Sequence, residues 1–309
     1  MATNTSTLMS PPAGRRRGRK ISIGKILAWC LIAVSIFIIL FPFWWIIRTA
    51  LSTQREMLAA SDSLGPVGFT TINFARVLGQ VDTATSLAAG GSGQKIDFLL
   101  YLRNSIITSG LIVAGQVFFS ALAAYAFARL TFPLRDKIFF LYICGLMIPG
   151  VVTLIPNFIL IRQLLWENTF LGLIAPTFLM TPFAVFFLRQ FFLGINRELE
   201  EAAKLDGCGT FGVYWRVILP ISIPPVTTIG ILTFVGSWNA YLWPFLVGQN
   251  ENVRVLTTAL AVFRSQTPQG APDWTGLMAA TIISMLPTLF LFVIVGRRVV
   301  NNIQFTGFK

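Results

Sequence analysis

The sequence predicts an all-α integral membrane protein with six transmembrane helices and both termini in the cytoplasm (N-in/C-in). A short cytoplasmic helix is expected between the fourth and fifth spans. Three observations carry this. First, the chain is 55% hydrophobic and only 12% charged, with a mean hydropathy of +0.72. Soluble domains hold about a quarter charged residues, so this chain lacks the surface to stay in water. Second, six stretches reach the roughly 20 residues needed to cross a hydrocarbon core of about 30 Å. They lie near 26–47, 99–127, 138–161, 170–193, 218–246 and 275–297. Third, with the N-terminus inside, the intervening Lys and Arg fall on the cytoplasmic side by about two to one, as the positive-inside rule requires.

Each element follows in order. Residues 1–20 are small, polar and proline-bearing, end in RRRGRK, and read as a disordered basic arm. Residues 21–309 form the six-span domain. The first span is too long, and lacks the small-residue cleavage site, to be a signal peptide. A polar outer segment of about 50 residues follows, and its portion at about 79–97, containing LAAGGSGQK, reads as a flexible surface insertion. Prolines within the later spans, among them Pro149, Pro156, Pro176, Pro182, Pro224, Pro225 and Pro287, predict bent helices. Such breaks are tolerated where neighbouring helices or a wet pathway satisfy the freed backbone groups. The last outer loop, about 247–274, carries TTALAVF, a run apolar enough either to cover the spans or to meet an external partner.

Composition also excludes functions. There is no histidine, which removes the commonest acid–base catalyst and metal ligand. Cys30, Cys144 and Cys208 are too scattered for a metal cluster or a disulfide framework. No phosphate-binding loop is present: Gly24-Lys25 is followed by Ile, with Arg19 where the first glycine would stand. The net charge of +12 reflects orientation in the membrane, so no nucleic-acid partner is expected.

The loop at about 194–217 is the most charged part of the chain. Asn196 reads as an N-cap, Glu198, Glu200 and Glu201 sit at the positive end of the helix dipole, and Glu200 stands four residues before Lys204. Gly207 after Asp206 marks a left-handed stop, so a helix is predicted over 197–206. Two basic against four acidic side chains leave it net negative. The cytoplasmic leaflet is negative too, so a protein groove suits this helix better than lipid. Leu219-Pro220 then begins re-entry, joining the knob to span five.

The stretch EAAKLDGCGTFGVYWRVILP resembles the EAA motif of permease subunits of binding-protein-dependent ABC importers, through Glu201-Ala202-Ala203, Asp206-Gly207 and Leu219-Pro220. NSIITSGLIVAGQVFFSALAAYAFARLTFPLRDK and SWNAYLWP are similar to segments of maltose G-type carbohydrate permeases. The resemblance implies that this loop is a coupling helix, docked in a cleft of a separate ATPase. It implies a second homologous permease subunit, two copies of the ATPase and an extracytoplasmic solute-binding protein. ATP and Mg would then be bound by the ATPase, with no cofactor on this chain. The implied location is the cytoplasmic (inner) membrane of a bacterium or archaeon.

The centres of the spans hold almost no ionisable groups, which argues against a proton-relay carrier and for a neutral, hydroxyl-rich solute. Candidate pathway residues are Asn104, Gln116, Asn157, Ser237 and Asn239, with Trp238 and Tyr241 for stacking on a sugar face. Helix–helix hydrogen bonding is the alternative for each. The expected function is ATP-driven import of a disaccharide or oligosaccharide. Import of a sugar phosphate such as glycerol 3-phosphate stays open, because Arg48, Arg103 and Arg162 lie near the outer ends. An ATP-independent secondary carrier is the remaining alternative.

Overall fold

Among residues 23–59, 63–93, 96–264, 267 and 270–303, which the computed structural model describes, the chain is helical and contains no strand. The basic arm at 1–20 and the C-terminal QFTGFK lie outside these residues. The chain divides into two units, residues 1–45 and 46–309.

The first unit is described from Ile23 as helix α1 (Ile23–Ala50), whose last turn belongs to the second unit. Its side chains are apolar on every face and are exposed from Ile23 through Trp45. A helix that is hydrophobic all round is either a buried core helix or a membrane span. At 28 residues it is about 42 Å long, enough to cross with some tilt.

The second unit is organised around one long helix. Short helices α2 (Gln54–Ala59), α3 (Ile72–Val77) and α4 (Thr83–Ala88) precede α5 (Phe98–Arg129), which begins where Asp97 accepts the Leu100 N–H at 3.0 Å. At 32 residues α5 spans about 48 Å without a proline. Its buried face is built from small residues, including Gly115, Ser120, Ala121, Ala124 and Ala128. In lipid, where apolar surface is not itself a driving force, such residues let helix backbones approach and gain dispersion. A Cβ on Gly115 would stand 2.4 Å from the Phe178 ring and 2.6 Å from its carbonyl oxygen.

The following spans are broken. The sequence reads 138–161 as one crossing, but α6 (Arg135–Cys144), extended by a 3-10 turn to Met147, and α7 (Gly150–Gln163) meet at 97° around Ile148-Pro149. Helices α8 (Phe170–Phe178) and α9 (Pro182–Leu193) meet at 43°. Here the freed backbone is satisfied by neighbours: Ser120 Oγ accepts the Thr181 N–H at 3.3 Å and Tyr142 Oη donates to the Met180 carbonyl at 2.9 Å. After α10 (Glu198–Leu205), α11 (Thr210–Val213) runs through a π-helical turn into α12 (Leu219–Ile221). A 76° bend at Ser222 then leads into α13 (Ile223–Trp238). Pro220, Pro224 and Pro225 each remove a helical N–H, which accounts for the π turn and the bend together. Helices α14 (Leu242–Val247), α15 (Leu256–Ala259) and α16 (Trp274–Ile303) complete the chain. Among the described residues three helices are long and apolar enough to cross a membrane, or up to six spans by length and composition if each bent pair counts as one.

The segment that reads as a flexible insertion, about 79–97, is anchored at several of its described residues, while its outer face is exposed. It carries α4 and buries Ser86, Gly90, Gly91 and Ile96. Gly91 lies where a Cβ would strike the Arg76 guanidinium. Arg76 pairs with Asp273 in the interior and also bonds Asn73 at 2.8 Å and Ser86 at 3.1 Å. Asp273 further accepts the N–H groups of Ser92 (3.0 Å) and Gly276 (2.9 Å), tying this segment to the start of α16. Arg48, left open as a pathway charge, is also buried here and donates Nε to the Gly65 carbonyl at 3.1 Å.

Candidate functional site

Two features bear on transport: an exposed knob near the C-terminal end of α5, and a largely apolar cavity with scattered polar groups along its middle. The knob is α10 and the turn after it. Asn196 accepts the Glu198 N–H at 3.1 Å from just before the helix, whose N-cap is Arg197, one residue later than expected, with no side-chain cap bond. The helix runs Glu198–Leu205, within a residue of the predicted ends. Gly207, at φ +86°, donates to the Lys204 carbonyl at 3.0 Å, and Cys208 donates to Ala203 at 2.9 Å. This is the double bond pattern of a glycine-terminated helix.

The faces of α10 are inverted relative to a surface helix. Leu199 and Leu205 are 46% and 90% exposed, with Ala202 between them and Glu198, Glu201 and Asp206 around them. Phe211, in the next helix, is 66% exposed. Glu200, by contrast, points inward and is buried. Its carboxylate meets Arg129 Nε at 2.8 Å, and the same guanidinium donates Nη2 to the carbonyls of Phe192 and Ile195. Glu200 is therefore not chiefly a partner of Lys204, as spacing suggested, but of a residue 71 positions earlier in the chain. Ala203 is half-buried against the core, Leu219 is half-buried, and Pro220 is exposed at the π turn. The structure thus brings Glu201, Ala202, Asp206 and Gly207 together on an open surface, with Leu219 and Pro220 on the connection to α13.

The cavity has a volume of about 480 Å³ and lies between α5, α7, α8, α13 and α14. That falls within the range of small-molecule sites, about 300–1,000 Å³. Its polar lining comprises Thr108, Gln116, Thr153, Asn157, Thr177, Thr233 and Ser237, with Trp243 as an aromatic wall and no charged side chain. Asn157 and Ser237 from the sequence reading are here, as is Gln116, whose amide donates to Thr181 Oγ1 at 3.0 Å. The other candidates stand elsewhere. Asn104 is fully buried and donates both amide protons, at 3.0 Å each, to the carbonyls of Asn252 and Arg254. Trp238 is buried with its indole N–H on the Ser284 carbonyl at 3.1 Å, and Asn239 bonds its own helix at Val235. Tyr241 lines a separate pocket of about 440 Å³ with Thr257, Thr281 and Arg264. The threonines of the main cavity were missed because a lone threonine in an apolar helix gives no signal until its face is known. Among the described residues no group of three or more His, Cys, Asp or Glu side chains is placed to hold a metal.

Apolar helices around a mostly apolar cavity that carries a few uncharged polar side chains, with an exposed knob outside them, suit the membrane-spanning component of a transport system. The chain belongs to the family of binding-protein-dependent transport system inner membrane components, which it matches over residues 116–304. It is 33% identical over 288 residues to the probable ABC transporter permease protein YurM of Bacillus subtilis (strain 168), covering 92% of this chain and 89% of that one. It is 30% identical over 275 residues (88% and 93%) to the sn-glycerol-3-phosphate transport system permease protein UgpE of Yersinia pestis. Against the sulfoquinovosyl glycerol transport system permease protein SmoH of Agrobacterium fabrum it is 33% identical over 281 residues (90% and 92%). The fold is shared with a chain of a bacterial ABC transporter involved in the import of the acidic polysaccharide alginate. That match has a TM-score of 0.75 at 20% identity, over 93% of this chain and 99% of the other.

Proposed function

We propose that this permease component imports a carbohydrate, driven by ATP hydrolysed on a separate subunit, with the knob as the coupling element. The observation that carries the coupling half is the inverted helix: two exposed leucines in an acidic rim, ended by a tight glycine turn. Leu199, Leu205 and the nearby Phe211, all exposed while Glu200 is buried, form an apolar surface suited to a groove on another protein. Glu201 and Asp206 supply charge at the rim, Ala202 and Ala203 allow close approach, and Gly207 ends the helix sharply. Leu219 and Pro220 link it to α13. On this reading the chain makes six crossings, N-in/C-in, in a bacterial or archaeal cytoplasmic membrane. It works beside a second homologous permease subunit, two ATPase subunits that bind ATP and Mg, and an extracytoplasmic binding protein.

The absence of charge among the side chains lining the cavity supports a neutral solute, with Asn157, Ser237 and Gln116 as hydrogen-bonding groups on a mostly apolar wall that suits a sugar's apolar face. Asn104, Trp238 and Asn239 are better assigned to holding helices and loops in place. A second reading, an anionic solute such as a sugar phosphate, draws on the glycerol phosphate and sulfoquinovosyl glycerol relatives and on Arg264 beside Tyr241 in the smaller pocket. Uptake into proteoliposomes holding the complete transporter, with labelled maltose and labelled glycerol 3-phosphate in parallel, separates them. Uptake of the phosphate alone would overturn the neutral reading. Glu201→Lys should abolish ATP-driven uptake while leaving membrane insertion intact, and normal uptake by this variant would sink the coupling assignment.

A further inference from the structure

The knob is connected to the cavity along two routes, and they differ in geometry. The covalent one leads from α11 through the π-helical turn and the 76° bend at Ser222 into α13. This route changes direction twice, at the π turn and at the bend, so it is not one straight element. The other connection is the buried Glu200–Arg129 pair. Arg129 is the last residue of α5, and its guanidinium also holds the carbonyls of Phe192 and Ile195 at the exit of α9. One guanidinium at the end of α5 therefore pairs by charge with the knob's Glu200 and hydrogen-bonds the exit of α9. A second tie lies one turn away: Tyr125 Oη donates to the Thr210 carbonyl at 3.2 Å, and its ring sits 5.1 Å from that of Tyr214. From there α5 runs unbroken to the cavity wall, where Thr108 and Gln116 stand on the same helix.

We infer that Glu200 is the positioning residue through which movement of the knob reaches the cavity, with Arg129 as its fork and α5 as the rod. This rests on the reading of the knob as the ATPase-docking element. A buried ion pair of this kind adds little net stability over an apolar equivalent, because desolvation of both charges offsets their attraction. What it supplies is a fixed orientation of the knob on α5. Glu200 faces inward and away from the exposed leucines, so its part is played through Arg129 and not through contact with the ATPase.

The experiment uses the assembled transporter in nanodiscs. Cys30, Cys144 and Cys208 are replaced by serine, and Thr108→Cys is labelled by a small methanethiosulfonate with and without ATP and vanadate. With Glu200 intact, trapping should change the labelling rate at position 108. In Glu200→Gln and in Arg129→Lys, the ATPase subunits should still co-purify, but the trapping-dependent change should shrink at least tenfold. Glu200→Asp, which keeps the charge, should restore part of it. A full change in Glu200→Gln would overturn the inference. Loss of the ATPase or of assembly in both variants would overturn it too, by making the pair a local folding element. Failure of the docking reading is seen separately, as an ATPase that stays bound to Leu205→Glu.

Discussion

Asp273→Asn is the sharpest test of the packing at the end of the second unit opposite the knob. Asp273 and Arg76 are 197 residues apart in sequence, and their side chains are 0% and 2% exposed. The asparagine keeps the size and one acceptor oxygen but removes the charge that Arg76, Ser92 and Gly276 all face. An unpaired guanidinium is then left in the interior, at a cost of about 3–5 kcal/mol. With a midpoint shift of about 2–4 °C per kcal/mol for chains of roughly this size, the melting temperature should fall by about 10 °C. The assay is thermal unfolding of purified protein in a fixed detergent, with Arg76→Met and Arg76→Met/Asp273→Asn alongside. The double variant should recover most of the loss, because the unpaired charge is gone while the asparagine oxygen can still accept an N–H from Ser92 or Gly276. A single-variant shift below about 2 °C, or a double variant no better than the singles, would refute the burial argument.

Other consequences can be checked in the same preparations. Gly115→Ala places a methyl against the Phe178 ring and a backbone oxygen that cannot swing aside. It should destabilise by about 1–3 kcal/mol, read as a lower melting midpoint. Asn104→Ala removes the donor that the carbonyls of Asn252 and Arg254 share and should cost about 0.5–1.5 kcal/mol per bond lost. Hydrogen exchange should rise in residues 248–256, while the choice between maltose and glycerol 3-phosphate in uptake stays the same.

The parts legible in sequence were those set by local chemistry. Asn196, the acidic first turn and Gly207 bounded the knob to within a residue, because capping and left-handed glycine geometry are decided by neighbours in the chain. The apolar runs likewise placed the candidate spans. What stayed hidden depended on residues far apart. Glu200 has Lys204 four positions on, and only packing showed that Arg129, at the end of another helix, is its partner. Arg76 reads as one more loop charge until Asp273 arrives beside it. Pro149 announced a break, but the 97° angle is set by how α6 and α7 pack, which a single proline does not specify. Asn104 and Asn157 look alike in sequence, yet one faces loop carbonyls and the other a cavity.

The central claim is that the outward face of α10 docks the subunit that hydrolyses ATP. Leu205→Glu tests it most directly, because a side chain 90% exposed contributes little to folding, within about 0.5 kcal/mol. The measurement is the amount of ATPase subunit that co-purifies with the variant, taken with its melting midpoint. The account predicts an unchanged midpoint and loss of most of the bound ATPase. A variant that melts normally and retains its full complement of ATPase would contradict it.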